Sequence, residues 1–102
     1  MPNFVEVTSI ESLPPNRVKA FLIQGQKIAL FHLEEGVYAI ADTCSHDEAS
    51  LSEGEIDGIE IECPRHGARF DITTGRNLTL PAVVPVKKYE VRIEAGRIFV
   101  AV

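Results

Sequence analysis

The chain has 102 residues, of which 45% are hydrophobic and 25% charged, and its formal net charge is -5 at pH 7. This composition is typical of one globular domain that buries a core without disulfides or metals, so we expect a single domain over residues 1–102. The negative charge argues against nucleic acid as a partner, the N-terminus lacks the pattern of a secretory signal, and no apolar run could span a bilayer, so we expect a cytoplasmic protein without a membrane partner.

The predicted elements are short strands in which apolar and polar residues alternate. "RVKAFLI" and "KIALFHL" flank Gln24, Gly25 and Gln26, and "VYAIAD" follows "LEEG", which together predict a three-stranded meander. Asp57 and Gly58 in "EIDGIEIEC" predict a hairpin turn. The last stretch, "KKYEVRIEAGRIFVAV", predicts a second hairpin that turns at "EAG".

Helical periodicity is absent from this sequence. No window of about eleven residues carries an apolar stripe at helical spacing, and prolines fall between the predicted strands. We therefore predict an all-β fold, in which about eight short antiparallel strands close into a small sandwich or barrel. Closure also removes the unpaired edges that a small open sheet would expose.

Both cysteines and two of the three histidines fall in two short stretches. "CSHDE" holds Cys44 and His46 after one predicted strand, and "CPRHG" holds Cys63 and His66 after another. Two loops at strand ends can present four ligands to one point. Because each cysteine is followed closely by a histidine, which a disulfide would not need, the pattern favours metal ligation.

The spacing C-x-H, sixteen residues, C-x2-H bears on which metal is bound. A structural zinc ion accepts two thiolates and two imidazoles, but zinc sites usually take like ligands from each loop. A domain that can bury this much β core also has little need of zinc to fold. One mixed pair from each loop suits a two-iron cluster, with a zinc-stabilised interaction module as the alternative.

The segment "CSHDEASLSEGEIDGIEIECPRHGARFDITTGR" resembles the cluster-binding region of Rieske iron-sulfur proteins. Its continuation, "NLTLPAVVPVKKYEVRIEAGRIFV", is similar to the small Rieske-type ferredoxins. The resemblance covers residues 37–102 well and the N-terminal third loosely. It implies an all-β fold of the Rieske type, in which two loops form a cluster-binding part at about residues 43–80 on a base formed by the rest.

The resemblance also implies the cofactor and its ligands. A Rieske-type 2Fe-2S cluster would be held by Cys44 and Cys63 on the inner iron and by His46 and His66 on the outer iron. Two neutral imidazoles in place of two thiolates remove two negative charges, so such a cluster accepts an electron more easily than a four-cysteine cluster.

Flanking residues bear on the reduction potential. High-potential Rieske proteins resemble "CTHLGC" and "CPCHGSHYD", with two further cysteines that form a disulfide and with a serine and a tyrosine that donate hydrogen bonds to the cluster. The corresponding positions here are Ala49, Arg65, Ala68 and Phe70. Because hydrogen bonds to the cluster stabilise the added electron, their absence predicts a potential that is low for a Rieske centre.

Such a low potential suits an electron carrier of a ring-hydroxylating dioxygenase system. The resemblance implies that the protein is not itself an enzyme and passes one electron from an NAD(P)H-dependent flavin reductase to a terminal Rieske oxygenase. A small Rieske subunit of a nitrite-reductase-like complex is the first alternative. An oxygenase would need two further histidines and a carboxylate for a mononuclear iron, and only His32 remains, which we expect to be structural.

The acidic residues are concentrated around the cysteine and histidine stretches. Ten of the fifteen acids lie between Lys27 and Arg65, an interval without any lysine or arginine. The two interpretations are a solvated face and a docking surface for a basic partner. No long apolar stripe is left over in the sequence, so we expect a monomer.

Overall fold

The computed structural model describes residues 3–43, 50–64, 67–79 and 84–102. This part of the chain is almost all β, as predicted, and no helix in it is long and apolar enough to cross a membrane. Its two helical segments are short 3-10 helices, Ile10–Ser12 and Leu51–Glu53. The strands are β1 (Phe4–Ser9), β2 (Arg17–Ile23), β3 (Gln26–Leu33), β4 (Gly36–Ala41), β5 (Glu55–Asp57), β6 (Glu60–Glu62), β7 (Arg69–Asp71), β8 (Lys88–Tyr89), β9 (Val91–Glu94) and β10 (Arg97–Ala101).

The strands form three antiparallel sheets. The terminal sheet has the order β1-β10-β9, the central sheet the order β2-β3-β4-β8, and the loop sheet the order β5-β6-β7. The predicted meander is β2, β3 and β4 of the central sheet. β5 and β6 lie in sequence between the two cysteines, and Cys63 lies in the connection between β6 and β7.

The central sheet contributes to two hydrophobic cores, one on each face. On β3, Ala29, Phe31 and Leu33 enter a core with residues of the loop sheet. Ile28 and Leu30 point the other way, into a core with residues of the terminal sheet. Burial on both faces explains why "KIALFHL" is a nearly continuous apolar run and not a strict alternation.

The two-residue turns of the β2–β3 and β5–β6 hairpins contain residues with a positive φ angle. Gln24 and Gly25 have φ angles of 50° and 79° and form the two-residue turn between β2 and β3. In the hairpin of β5 and β6, the predicted position of the turn was wrong by one residue, because Asp57 ends β5 and pairs with Glu60. Its two turn residues are Gly58, with φ of 62°, and Ile59.

The last predicted hairpin is confirmed only in part. β9 pairs with β10 as expected, but β8 pairs with β4, so the chain passes from the central to the terminal sheet at Glu90. Tyr89 is buried in the core of the terminal sheet, whereas Ile93, which the alternation places on the same face, is 45% exposed. The alternation of apolar and polar residues continues where the chain passes from one sheet to the next, so the sequence pattern could not show this change.

Strand β1 was not predicted. It pairs with β10 along its length, starting with Phe4 opposite Ala101, and the register shifts between Glu6 and Thr8. The two ends of the described chain therefore lie in one sheet. No turn joins these two strands, so the sequence carries no local indication that they pair.

Candidate metal centre

The segment 44–49, the first loop, lies outside the described residues, and the residues that flank it, Thr43 and Ser50, pair in an isolated β-bridge after the end of β4. Before the bridge, the amide of Asp42 donates a hydrogen bond to the carbonyl of Lys27 on β3, at 3.0 Å. The bridge brings the two ends of the loop together on the central sheet.

Asp42 fastens the return of the first loop. Its carbonyl accepts a hydrogen bond from the amide of Leu51 at 2.6 Å. One carboxylate oxygen accepts the amide of Ser52 at 2.7 Å, and the other accepts the Ser52 hydroxyl at 3.0 Å. Asp42 is 3% exposed. The role of Asp42 could not be predicted from the sequence, because its partners Leu51 and Ser52 lie nine and ten residues further along the chain.

The second loop, residues 63–68, connects β6 to β7 and is closed at its base. The amide of Cys63 donates to the carbonyl of Ala68 at 2.7 Å, and the amide of Gly67 donates to the carbonyl of Cys63 at 3.1 Å. Gly67 has φ of 73°, a left-handed conformation that glycine adopts without strain. The chain therefore reverses within a few residues after the cysteine.

The bases of the two loops are in contact. Gly54, just after the first loop, lies so close to β6 that a Cβ atom there would be 1.9 Å from the carbonyl oxygen of Glu62. Leu51 and Cys63 are members of one core, with exposures of 0% and 1%. The fold thus brings together the two segments that the sequence placed at one point.

Of the four predicted ligands, the structure describes Cys63. Its thiol is buried and, within the described residues, forms no disulfide. Cys44, His46 and His66 lie outside the described residues. The sulfur of Cys63 is a soft donor of the kind that binds iron, so its chemistry suits a metal centre.

The surroundings of Cys63 are apolar. Ala68, Phe70 and Leu51 are all fully buried in the same core. Ala68 and Phe70 stand where the sequence comparison expects the serine and tyrosine of high-potential centres, and neither carries a hydroxyl group. Ala49 and Arg65, the other two positions of that comparison, lie outside the described residues.

The outer face of the loop sheet is acidic. Its inward row consists of Ile56, Ile61 and Phe70, so the residues before and after each of them point outward. These outward residues are Glu55, Asp57, Glu60, Glu62, Arg69 and Asp71.

Arg69 is the one cation of that face. Its guanidinium lies 2.9 Å from Asp57, 3.4 Å from Glu60 and 3.1 Å from Glu62. The hydrogen bond with Asp57, followed by that with Glu60, raises the pKa of Arg69. Because three of the five carboxylates share a single positive charge, the face remains negative.

His32 is engaged in hydrogen bonds with the backbone of the segment before β2. Its Nδ1 atom lies 2.7 Å from the carbonyl oxygen of Leu13, which joins β3 to the segment before β2. The carbonyl of His32 also accepts the amide of Asn16 at 2.6 Å. This hydrogen bonding agrees with the structural role expected of His32.

Comparison with known proteins identifies the family. The model of the Rieske [2Fe-2S] domain matches residues 3–90. The ferredoxin component of the naphthalene 1,2-dioxygenase system of Pseudomonas aeruginosa is 35% identical over 97 residues, which cover 95% of this chain and 93% of that protein. The chain therefore belongs to the Rieske 2Fe-2S domain family, as its motifs predict.

Solved structures agree with this assignment. The ferredoxin of carbazole 1,9a-dioxygenase from Nocardioides aromaticivorans IC177 has a TM-score of 0.93 and 39% identity, covering 97% of each chain. A complex of reduced oxygenase and oxidized ferredoxin in carbazole 1,9a-dioxygenase contains a chain with a TM-score of 0.91 and 35% identity, covering 96% of this chain and 92% of that one. The predicted fold class is confirmed, and family membership supports a 2Fe-2S cluster as the cofactor.

Proposed function

We propose that this protein is a cytoplasmic electron carrier that passes one electron from an NAD(P)H-dependent flavin reductase to a terminal Rieske oxygenase. The observation that carries the proposal is the buried thiol of Cys63, set in one core with the returning end of the first loop. Similar proteins over almost the full length are ferredoxin components of dioxygenase systems. One of the similar structures is a complex between a ferredoxin and its oxygenase.

The proposed ligands are Cys44 and Cys63 on one iron and His46 and His66 on the other. When bound, the cluster supplies a one-electron redox couple. Cys63 stands at the base of the second loop, and the chain reaches Cys44 directly after the bridge at Thr43. The proposal includes a cluster-binding part over about residues 43–80, on a base formed by the rest of the chain.

The chain's own residues favour a low potential. Leu51 and Phe70 pack in the core of Cys63 and exclude water from its thiol. Neither Ala68 nor Phe70 can donate a side-chain hydrogen bond, so these positions do not stabilise an added electron. A carrier with a low potential suits an electron that arrives from NAD(P)H through a flavin.

The first test is the cofactor itself. Freshly purified protein is expected to be brown, to contain two iron and two sulfide ions per chain, and after dithionite reduction to give the low average g value of a mixed nitrogen and sulfur two-iron cluster in low-temperature EPR. Colourless protein with one zinc ion would instead establish the zinc-stabilised module. Apo-protein would be reconstituted anaerobically before the result is judged.

The second test is electron transfer. Protein reduced by a flavin-dependent ferredoxin reductase is expected to be reoxidised in a single exponential phase when mixed with a Rieske oxygenase of a ring-hydroxylating system. Weak, reversible docking is expected of such a carrier. Purification in a permanent complex with a larger nitrite-reducing subunit would contradict the free carrier and support the alternative.

A further inference from the structure

Asp42 is a buried acid to which the proposed function assigns no role. It is the one charged residue of the described chain that is buried, with 3% of its surface exposed. Both carboxylate oxygens accept hydrogen bonds from Ser52, one from the amide at 2.7 Å and one from the hydroxyl at 3.0 Å. Both oxygens thus act as acceptors, which is the role that a carboxylate plays. Two hydrogen bonds offset part of the cost of burying that charge.

Asp42 lies two residues before Cys44, a proposed ligand of the cluster. The covalent chain alone keeps the Cα of Cys44 within about 7 Å of the Cα of Asp42, because two residues span no more than this. On its other side, the carbonyl of Asp42 holds the amide of Leu51, and Leu51 shares a core with Cys63. Asp42 is thus close to the segments that carry both cysteines.

This position has an electrostatic consequence. A fixed negative charge disfavours the addition of an electron nearby, and in a buried, low-dielectric environment the interaction is much less attenuated than in water. Within the described residues, no lysine or arginine forms an ion pair with Asp42. The hydrogen bonds from Ser52 stabilise the charge without neutralising it.

Building on the function proposed above, we propose that Asp42 is a tuning residue that lowers the reduction potential of the cluster through its buried charge while it fastens the first loop. The same carboxylate therefore has two effects that can be separated. The structural effect depends on hydrogen bonds to Ser52, and the electrostatic effect depends on the charge.

Asp42→Asn separates the two effects. The amide oxygen still accepts the amide of Ser52, and the amide nitrogen donates to the Ser52 hydroxyl, so the loop stays fastened while the charge is lost. At a fixed applied potential, the ratio of reduced to oxidised cluster is expected to rise at least threefold over the wild type. By the one-electron constant of 59 mV per tenfold change, this is a positive shift of about 28 mV or more. Protein-film voltammetry measures it.

Two further variants provide the controls. Glu53→Gln removes an equal charge from an exposed position on the same 3-10 helix as Ser52, and less than a 1.5-fold change in the ratio is expected from it, since solvent screens that carboxylate. Ser52→Ala weakens the fastening but keeps the charge. It is expected to lower the melting temperature without the positive shift in potential. If Asp42 acted only through its hydrogen bonds to Ser52, Ser52→Ala and Asp42→Asn would change the potential alike.

The wild type is assayed for iron and sulfide first, so that a failure of the proposed function is recognised before the variants are compared. If the wild type is loaded and Asp42→Asn shows no positive shift, the tuning role alone is overturned. If Asp42→Asn does not load, the matched pair Asp42→Glu and Asp42→Gln gives the same comparison of charge, and equal potentials in that pair overturn the proposal. Loss of the cluster from every variant at this position also overturns it, because Asp42 then serves assembly only.

Discussion

Cys63, the one proposed ligand among the described residues, lies in a buried and apolar environment. Its side chain is 1% exposed, and its backbone is fixed by hydrogen bonds to Ala68 and Gly67. A thiolate buried without compensation is costly, and ligation by iron would supply that compensation. The sequence pattern of two cysteines and two histidines predicted this residue as a ligand, and burial of its thiol is consistent with that role.

Substitution of the proposed ligand tests the site at this scale. Cys63→Ser replaces a soft thiolate by a hydroxyl of similar size, which binds iron poorly. We expect the variant to lose at least about nine-tenths of its iron and sulfide and its brown colour. Metal analysis and the visible absorption spectrum measure both losses.

The matched control removes the histidine that lies outside the motifs. His32→Gln loses the ring nitrogen that contacts the carbonyl of Leu13. We expect the unfolding free energy to fall by about 1 kcal/mol, and the melting temperature to fall with it. Its iron content should equal that of the wild type. A loaded Cys63→Ser, or an iron-free but folded His32→Gln, would show that the ligands were assigned wrongly.

The two buried apolar positions beside the second loop allow a test of the low potential. Ala68→Ser with Phe70→Tyr introduces the two hydroxyl groups that the high-potential pattern contains. If they donate hydrogen bonds to the cluster, the added electron is stabilised and the reduction potential rises, by an amount on the order of 100 mV. Direct electrochemistry of the double variant measures the change.

The control for these hydroxyl groups is Ala29→Ser. Ala29 is fully buried in the same core but lies on β3, so its hydroxyl costs stability as any buried polar group does. Its potential is expected to stay at the wild-type value. No rise in the double variant would mean that positions 68 and 70 do not correspond to the serine and tyrosine of the high-potential proteins.

At the scale of elements, local patterns predicted the hairpins and missed the long-range pairings. The meander of β2, β3 and β4 follows from short turns between apolar runs, and β9 and β10 follow from the turn at Ala95 and Gly96. The pairing of β1 with β10 and of β8 with β4 is not visible in the sequence, because it joins segments that no turn connects. Such pairings are decided by which faces can be buried together.

The same division applies to the candidate site. The predicted ligand pattern is local, so two short motifs are enough to propose all four residues. The contacts that hold the loops in place join residues that are well separated in the sequence. Asp42 acts through Ser52, and Gly54 acts by its contact with Glu62, so neither residue carries a pattern that predicts its role.

Gly54 is the element-scale test of how the loops are held together. Gly54→Ala would place a methyl group 1.9 Å from the carbonyl oxygen of Glu62, and both clashing groups belong to the backbone framework. The strands must separate to relieve the contact, so we expect a loss of about 1–3 kcal/mol in unfolding free energy. Chemical denaturation measures this loss, and the iron content of the purified variant is expected to fall with it.

Gly58→Asn is the matched control for Gly54→Ala. Gly58 has open space around its Cα, and asparagine tolerates its φ of 62°. We expect little change in stability or iron content. Equal stability of the Gly54 and Gly58 variants would mean that the close approach of the first loop to β6 is not needed to hold the site together.

For the whole molecule, the distribution of charge separates the proposed cluster-binding part from the rest. Residues 43–79 contain eight acids and three arginines, so this segment carries the entire net charge of -5 and the rest of the chain is balanced. Not every acid counted in the sequence belongs to a surface, since Asp42 is buried. The exposed excess includes the outer face of the loop sheet, where Arg69 is surrounded by carboxylates.

The acidic excess is expected to steer a basic partner toward the end of the molecule that carries the loops. Glu55 and Glu62 are cross-strand neighbours on the outer face of the loop sheet, so Glu55→Gln with Glu62→Gln removes a repulsion between them. Arg69 loses its ion pair with Glu62 but keeps those with Asp57 and Glu60, so the sheet should stay folded. We expect the bimolecular rate of reduction by a reductase with a basic docking surface to fall about threefold to tenfold, and its dependence on salt to flatten. Stopped-flow measurements over a range of salt concentrations provide both quantities.

Glu34→Gln with Glu35→Gln is the matched control, because both residues are exposed and lie in the turn before β4, at the end of that strand away from the first loop. The six residues of β4 span about 20 Å, which exceeds the screening length of about 10 Å at 0.1 M salt. These charges should therefore contribute little to the encounter at that salt concentration. If the two double variants slow reduction equally, the total charge of the protein governs association. If neither does, the acidic face of the loop sheet is only a solvated surface, and the partner recognises the loops by their shape and apolar contacts.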